Sequence, residues 1–178
     1  MIIMKRKSLD RRIGLLCLLA LLLLSPAVMA KVRLPRLVSD KMVLQRDVEL
    51  NIWGWASAGE KVTVRFNGAY YETEANANGE WSVTLPPQKA GGPYLMEVNE
   101  LKIRDVLVGD VWLCSGQSNQ ETPIVRLVDK FPEINVSNNH MIRHYKVPTQ
   151  DVVNGVQQEI AGNAVWHSGV ASEVLNWT

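Results

Sequence analysis

The side chains best suited to chemistry lie together past the middle of this 178-residue chain. Ser115-Gly116-Gln117-Ser118-Asn119 is a run of small and polar residues that follows Val111-Trp112-Leu113-Cys114. A hydroxyl held on such a turn becomes a nucleophile when a base takes its proton, a third group orients the base and N–H donors meet the developing oxyanion. Ser118 is the candidate hydroxyl. A plainer reading stands beside it, because Ser, Gly and Asn after a strand also make ordinary turns in which hydroxyls and amides bond the local backbone.

The bases on offer are few. His140, His144 and His167 are the only histidines. His140 and His144 have the H-x-x-x-H spacing of a zinc site, but no Glu follows His140, and Ile142 and Tyr145 point to a strand. On a strand the two imidazoles would stand about 13 Å apart, at ~3.3 Å per residue. One zinc, with Zn–N near ~2.0–2.1 Å, cannot bridge that distance, so no metal is expected. His167 follows Trp166 in what reads as a loop, with nothing to recruit it as a base.

The elements that must position Ser118 begin with the stretch Val106 to Glu121, V-L-V-G-D-V-W-L-C-S-G-Q-S-N-Q-E. Its apolar run, broken by Gly109 and Asp110 and ended by turn residues, suits a strand buried on both faces, as in a parallel sheet. Ligands of open α/β sheets bind outside the carboxyl ends of such strands. Cys114 would then be a buried small hydrophobe. Beyond the turn, Pro123 to Phe131 reads as a short helix with Pro near its start. Met141 to Val147 reads as a second strand and Gln150 to Asn163 as a polar loop. Val165-Trp166 and Val174-Leu175 look like isolated apolar pairs.

Upstream, from Lys31 to Asp105, the chain reads as all-β. Val48, Leu50 and Ile52 alternate with polar or half-polar neighbours, as do Val62, Val64 and Phe66, and then Trp81, Val83 and Leu85. Period two marks strands with one face packed. Asn67-Gly68 is a hairpin signal, since both turn positions need positive φ. Several short strands at this spacing indicate a β-sandwich. Trp53, Trp55 and Trp81 could offer aromatic platforms for sugar rings or simply fill the core of a small sandwich. The phase of Trp81 with Val83 and Leu85 favours the core.

The first thirty residues have the pattern of a secretory signal: basic Lys5 to Arg12, apolar Ile13 to Leu24, and small-residue Val28-Met29-Ala30, with cleavage expected after Ala30. The apolar part is short for a bilayer span, so the mature chain is expected outside the cytoplasm, secreted or periplasmic, with no membrane segment. The formal charge of +1 depends on that segment. Without its five bases and one acid the chain holds 14 Lys+Arg against 17 Asp+Glu, leaving no basic stripe for nucleic acid. The sequons Asn135-Val136-Ser137 and Asn176-Trp177-Thr178 matter only if the source glycosylates exported proteins.

G-D-V-W-L-C-S-G-Q-S-N (Gly109 to Asn119) resembles the nucleophile block of the sialate O-acetylesterases, a branch of the SGNH (GDSL-like) hydrolases. L-V-S-D-K-M-V-L-Q-R (Leu37 to Arg46), N-I-W-G-W-A, N-G-E-W and A-G-G-P-Y are similar to the N-terminal β-module of that family, so the resemblance runs from about Leu34 to the end of the chain. Gln120 departs from it, for members usually carry Met there. The resemblance implies a mixed fold: a signal at 1–30, a β-sandwich module at 31–105, and at 106–178 the incomplete start of an α/β, flavodoxin-like SGNH domain.

The same resemblance implies that Ser118 attacks an acetyl carbonyl and that its own N–H is one oxyanion donor. Gly116 would keep the turn open to the carbonyl, Gln117 and Asn119 would brace it and Asp110 would fix its entry, the alternative for all of these being an ordinary surface turn. No metal or organic cofactor is implied; the partner is an acetylated carbohydrate, sialic acid first and xylan-type esters second. In the family the acid and base come as D-x-x-H, which occurs nowhere in these 178 residues. The expectation is therefore an N-terminal portion of an esterase, inactive alone, with apolar surface at Trp112 and Leu113 left uncovered. The competing class is a non-catalytic exported β-module that binds glycan or a partner.

Overall fold

Alternation of apolar and polar residues sets the strands. The computed structural model describes residues 31–149, 155–160, 162–175 and 177; the signal segment 1–30 lies outside these, as do parts of the 150–163 stretch and of the second sequon. Strand β2 (Leu50–Trp55) turns Leu50, Ile52 and Gly54 inward, and β3 (Lys61–Phe66) buries Val62, Val64 and Phe66 while its other residues face outward. Val48, expected to open β2, is instead 45% exposed. Asn67 and Gly68 both take positive φ, 47° and 80°, which closes the hairpin to β4 (Ala69–Glu74) in full register from Phe66↔Ala69 to Lys61↔Glu74. Strand β5 (Glu80–Leu85) buries Trp81 and Leu85 and pairs antiparallel with β2.

Strands β6 (Gly91–Val98) and β7 (Leu101–Gly109) complete the larger sheet, with the short β1 (Val43–Gln45) at its edge, in the order β1-β7-β6-β3-β4. All of its pairings are antiparallel except β1 with β7, which is parallel. Side chains from this sheet and from the β2–β5 pair form one core: Leu50, Ile52, Val62, Val64, Phe66, Trp81, Leu85, Met96, Val98, Ile103, Val106 and Val108, with Met42, Val32 and Val38 closing it. Each such side chain contributes roughly 1.5–3 kcal/mol by leaving water. Trp81 is therefore a core residue. Trp55 lies under the Arg33 guanidinium, whose carbon is 3.7 Å from the ring centre, so neither tryptophan offers an open platform.

β7 sets the course of the chain toward Ser118. Val106, Leu107 and Val108 are all buried, and since neighbours on a strand point to opposite faces, both faces of β7 are covered here. The strand burial read for Val111–Cys114 does not continue, while Trp112 and Leu113 are left uncovered, as was expected of them. β7 ends at Gly109, Trp112 is 84% and Leu113 93% exposed, and Cys114 is an exposed free thiol rather than a core residue. The cause is pairing: β1 stops at Gln45, opposite Gly109, and among the described residues no strand flanks the chain beyond.

The remaining elements are short. Ser118–Glu121, Ile124–Leu127 and Pro132–Val136 are 3₁₀ turns, the second standing within Pro123–Phe131, where one helix was expected. β8 (Asn138–Tyr145) pairs antiparallel with β9 (Trp166–Val170), and a one-turn helix α1 (Ala171–Val174) comes directly after. The apolar pairs at 165–166 and 174–175 are thus not isolated, and His167 lies in a strand, not a loop. Among the described residues the chain is mostly β, and β7 runs straight through the expected division between Asp105 and Val106.

Candidate functional site

Ser118 opens the first 3₁₀ turn, at the end of an exposed segment that leaves β7. The turn is closed by backbone: the Gln120 N–H donates to the Gln117 carbonyl at 2.9 Å and the Thr122 N–H to the Asn119 carbonyl at 3.2 Å. The acceptors in these bonds are the backbone carbonyls of Gln117 and Asn119, not their side chains. Gly116 leaves room for a neighbour, since a Cβ there would lie 2.6 Å from Cγ of Gln120. At the far end, Thr149 Oγ1 donates to Glu121 Oε1 at 3.2 Å. Ser118 itself is exposed, with no side-chain hydrogen bond among the described residues.

The entry to the segment is held more firmly. Arg46 Nε donates to Asp110 Oδ1 at 2.8 Å, and the Arg46 N–H donates to the Gly109 carbonyl at 2.9 Å. Gln45 Oε1 accepts the Val111 N–H at 2.8 Å. The hydrogen bond to Asp110, and then its charge, push the Arg46 pKa above its ordinary value, so the guanidinium stays charged. Asp110 thus pairs with Arg46 at the start of the segment, and reading the sequence gives Gln45 and Arg46 no role. One signal could have found them: Met42-Val43-Leu44 and Val106-Leu107-Val108 are apolar runs that both end in polar residues, of opposite charge at Arg46 and Asp110.

The imidazoles sit elsewhere. His144 and His167 are cross-strand partners in β8 and β9. His144 stacks on Trp177 with ring centres 5.1 Å apart. His167 Nδ1 stands 3.6 Å from Glu173 Oε2, which also accepts the Ser168 N–H at 2.7 Å, while Glu173 Oε1 accepts from Lys41 Nζ at 2.7 Å. Burial works against charge on Glu173, but the bonds from Lys41 and Ser168 outweigh it and hold the carboxyl down at about 2. His140 is exposed on β8, and among the described residues no cluster of three or more His, Cys, Asp or Glu could hold a metal ion.

The chain is similar to known proteins over most of its length. The rat protein named sialate O-acetylesterase (Rattus norvegicus) is 32% identical over 139 residues, 70% of this chain and 26% of its own length. The human protein of that name is 35% identical over 112 residues, 54% of this chain and 21% of its own. By its sequence the chain belongs with the sialate O-acetylesterase-like family. A crystal structure of a carbohydrate acetylesterase from Xanthomonas citri superposes with a TM-score of 0.78 at 38% identity, over 83% of this chain and 34% of that one. No family model matches. The chain spans about a quarter of the length of the curated relatives it matches.

Proposed function

We propose that this chain carries the nucleophile of a carbohydrate O-acetylesterase, acting on acetyl esters of sialic acid or, second, of xylan-type glycans. The observation that carries the reading is Ser118 exposed on its Gly-Gln-Ser-Asn turn, in a sequence related to esterases over most of its length. Ser118 Oγ attacks the acetyl carbonyl, its backbone N–H faces the oxyanion, the sugar hydroxyl leaves with a proton, and water then releases acetate. No D-x-x-H occurs in these 178 residues, so the reading assigns the base and its orienting acid to residues other than these. It also takes the strands up to Asp105 as a β-sandwich module and Val106 onward as the start of an α/β SGNH domain.

Activity is tested in the whole polypeptide as its source makes it, on p-nitrophenyl acetate and on O-acetylated sialic acid. Ser118→Ala should lower kcat by about 1,000-fold or more, as loss of a serine nucleophile does. Turnover that persists in Ser118→Ala defeats the reading. Glycan binding that survives with no Ser118-dependent turnover supports a binding module instead. The reading further places the protein outside the cytoplasm after cleavage at Ala30. Sequencing the exported protein should then give Lys31 as its first residue, and an exported form retaining Met1 contradicts it.

A further inference from the structure

We infer that Gln45 and Arg46 are positioning residues for Ser118, an inference that rests on the reading of Ser118 as nucleophile. β1 and β7 run parallel with Val43↔Leu107, Leu44↔Val108 and Gln45↔Gly109, so the two strands end side by side. Where the strand pairing stops, one backbone bond and two side-chain bonds take over. Three bonds hold three successive residues: Arg46 N–H to the Gly109 carbonyl, Arg46 Nε to Asp110 Oδ1, and the Val111 N–H to Gln45 Oε1. Among the described residues, 112–116 make no further hydrogen bond before the turn at Gln117. The clamp is therefore the last fixed point before Ser118 and sets the direction in which the segment leaves the sheet.

The clamp is poorly placed to serve stability. The Arg46 and Asp110 side chains are 45% and 55% exposed, and ion pairs so open to water add little to folding. Orientation is a different matter, because a misplacement of about 1 Å at a reacting atom slows catalysis by roughly 100-fold. The β-module thus acts as part of the esterase machinery and not as a separate appendage.

Kinetics of the whole natural polypeptide on p-nitrophenyl acetate test this. Gln45→Ala and Arg46→Ala should each lower kcat by about 10- to 100-fold with KM little changed and the melting temperature held. Arg46→Lys, which keeps the charge, should recover part of the loss, and the exchanged pair Arg46→Asp/Asp110→Arg should recover more than either single change. In Gln45→Ala the Val111 amide should exchange its hydrogen faster. Wild-type kcat in both alanine variants, with Ser118→Ala inactive, overturns the inference while leaving the nucleophile in place. Turnover unaffected by Ser118→Ala removes the nucleophile and the inference together.

Discussion

Arg143 on β8 donates from Nη2 to Asp105 Oδ1 on β7 at 2.7 Å, with the arginine side chain 1% exposed and the aspartate 39%. Among the described residues the buried Arg143 Nε and Nη1 atoms have no hydrogen-bond partner, so Asp105 provides the counter-charge for a guanidinium cut off from water. Asp105 has φ 57°, a conformation Asn also tolerates, so Asp105→Asn removes the charge without disturbing the backbone. It should destabilise by about 2–3 kcal/mol in urea titration, less than the ~3–5 of a fully buried pair because Asp105 is partly wetted. Arg143→Met, which removes the stranded N–H groups along with the charge, should be milder. The reverse order would mean that Asp105 is not what compensates Arg143.

Gly54 is the second tight point. It lies opposite Trp81 in the β2–β5 ladder, and a Cβ there would come within 2.3 Å of the Arg33 carbonyl oxygen and 2.8 Å of Trp81 Cζ2. Gly→Ala changes that fit usually stabilise slightly by restricting the unfolded chain. Gly54→Ala should instead destabilise by about 1–3 kcal/mol, the range for overpacking. A neutral or raised melting temperature would mean that the indole and the Arg33 backbone yield freely.

These two sites differ in how far sequence could reveal them. Trp81 was legible because its period matches Val83 and Leu85, and the Asn67-Gly68 hairpin because only a few residues accept positive φ. Such local signals recover most of the β-module. Arg143–Asp105 joins residues 38 apart, and no spacing rule brings them together. The same limit hid β9 and α1, whose apolar pairs become intelligible only once Arg143↔Ser168 and Tyr145↔Trp166 are known. At the candidate site the motif located Ser118, but an apolar run cannot say where its neighbour strand stops. That is why Val111–Cys114 read as buried.

Cys114 turns that correction into a measurement. A thiol in a both-sides-buried strand resists modification until the protein unfolds, whereas exposure leaves it accessible. In the 178-residue chain, folded and in neutral buffer, Cys114 should react with an aromatic disulfide reagent about as readily as it does in urea, followed by mass spectrometry of its peptide. Protection that disappears only on unfolding would return Val111–Cys114 to the core.

Glu173 contributes a pH-dependent stabilisation. Its carboxylate ties β9 and α1 to the Arg104-bonded loop through Lys41, whose N–H donates to the Arg104 carbonyl, and it faces His167 at 3.6 Å. Its folded pKa is depressed from 4.5 to about 2, so its stabilisation is fully present above pH 4.5 and is lost as pH falls through 4.5 towards 2. Glu173→Gln cannot titrate and lacks the pairing at any pH. The variant should therefore melt below the wild type at pH 6, and the gap should narrow steadily between pH 4.5 and 2 as the wild-type carboxylate takes up its proton. Other carboxylates titrate in both proteins and cancel in the difference. A gap that stays constant across that window would mean that the Lys41 and Ser168 bonds do not depend on the charge of Glu173.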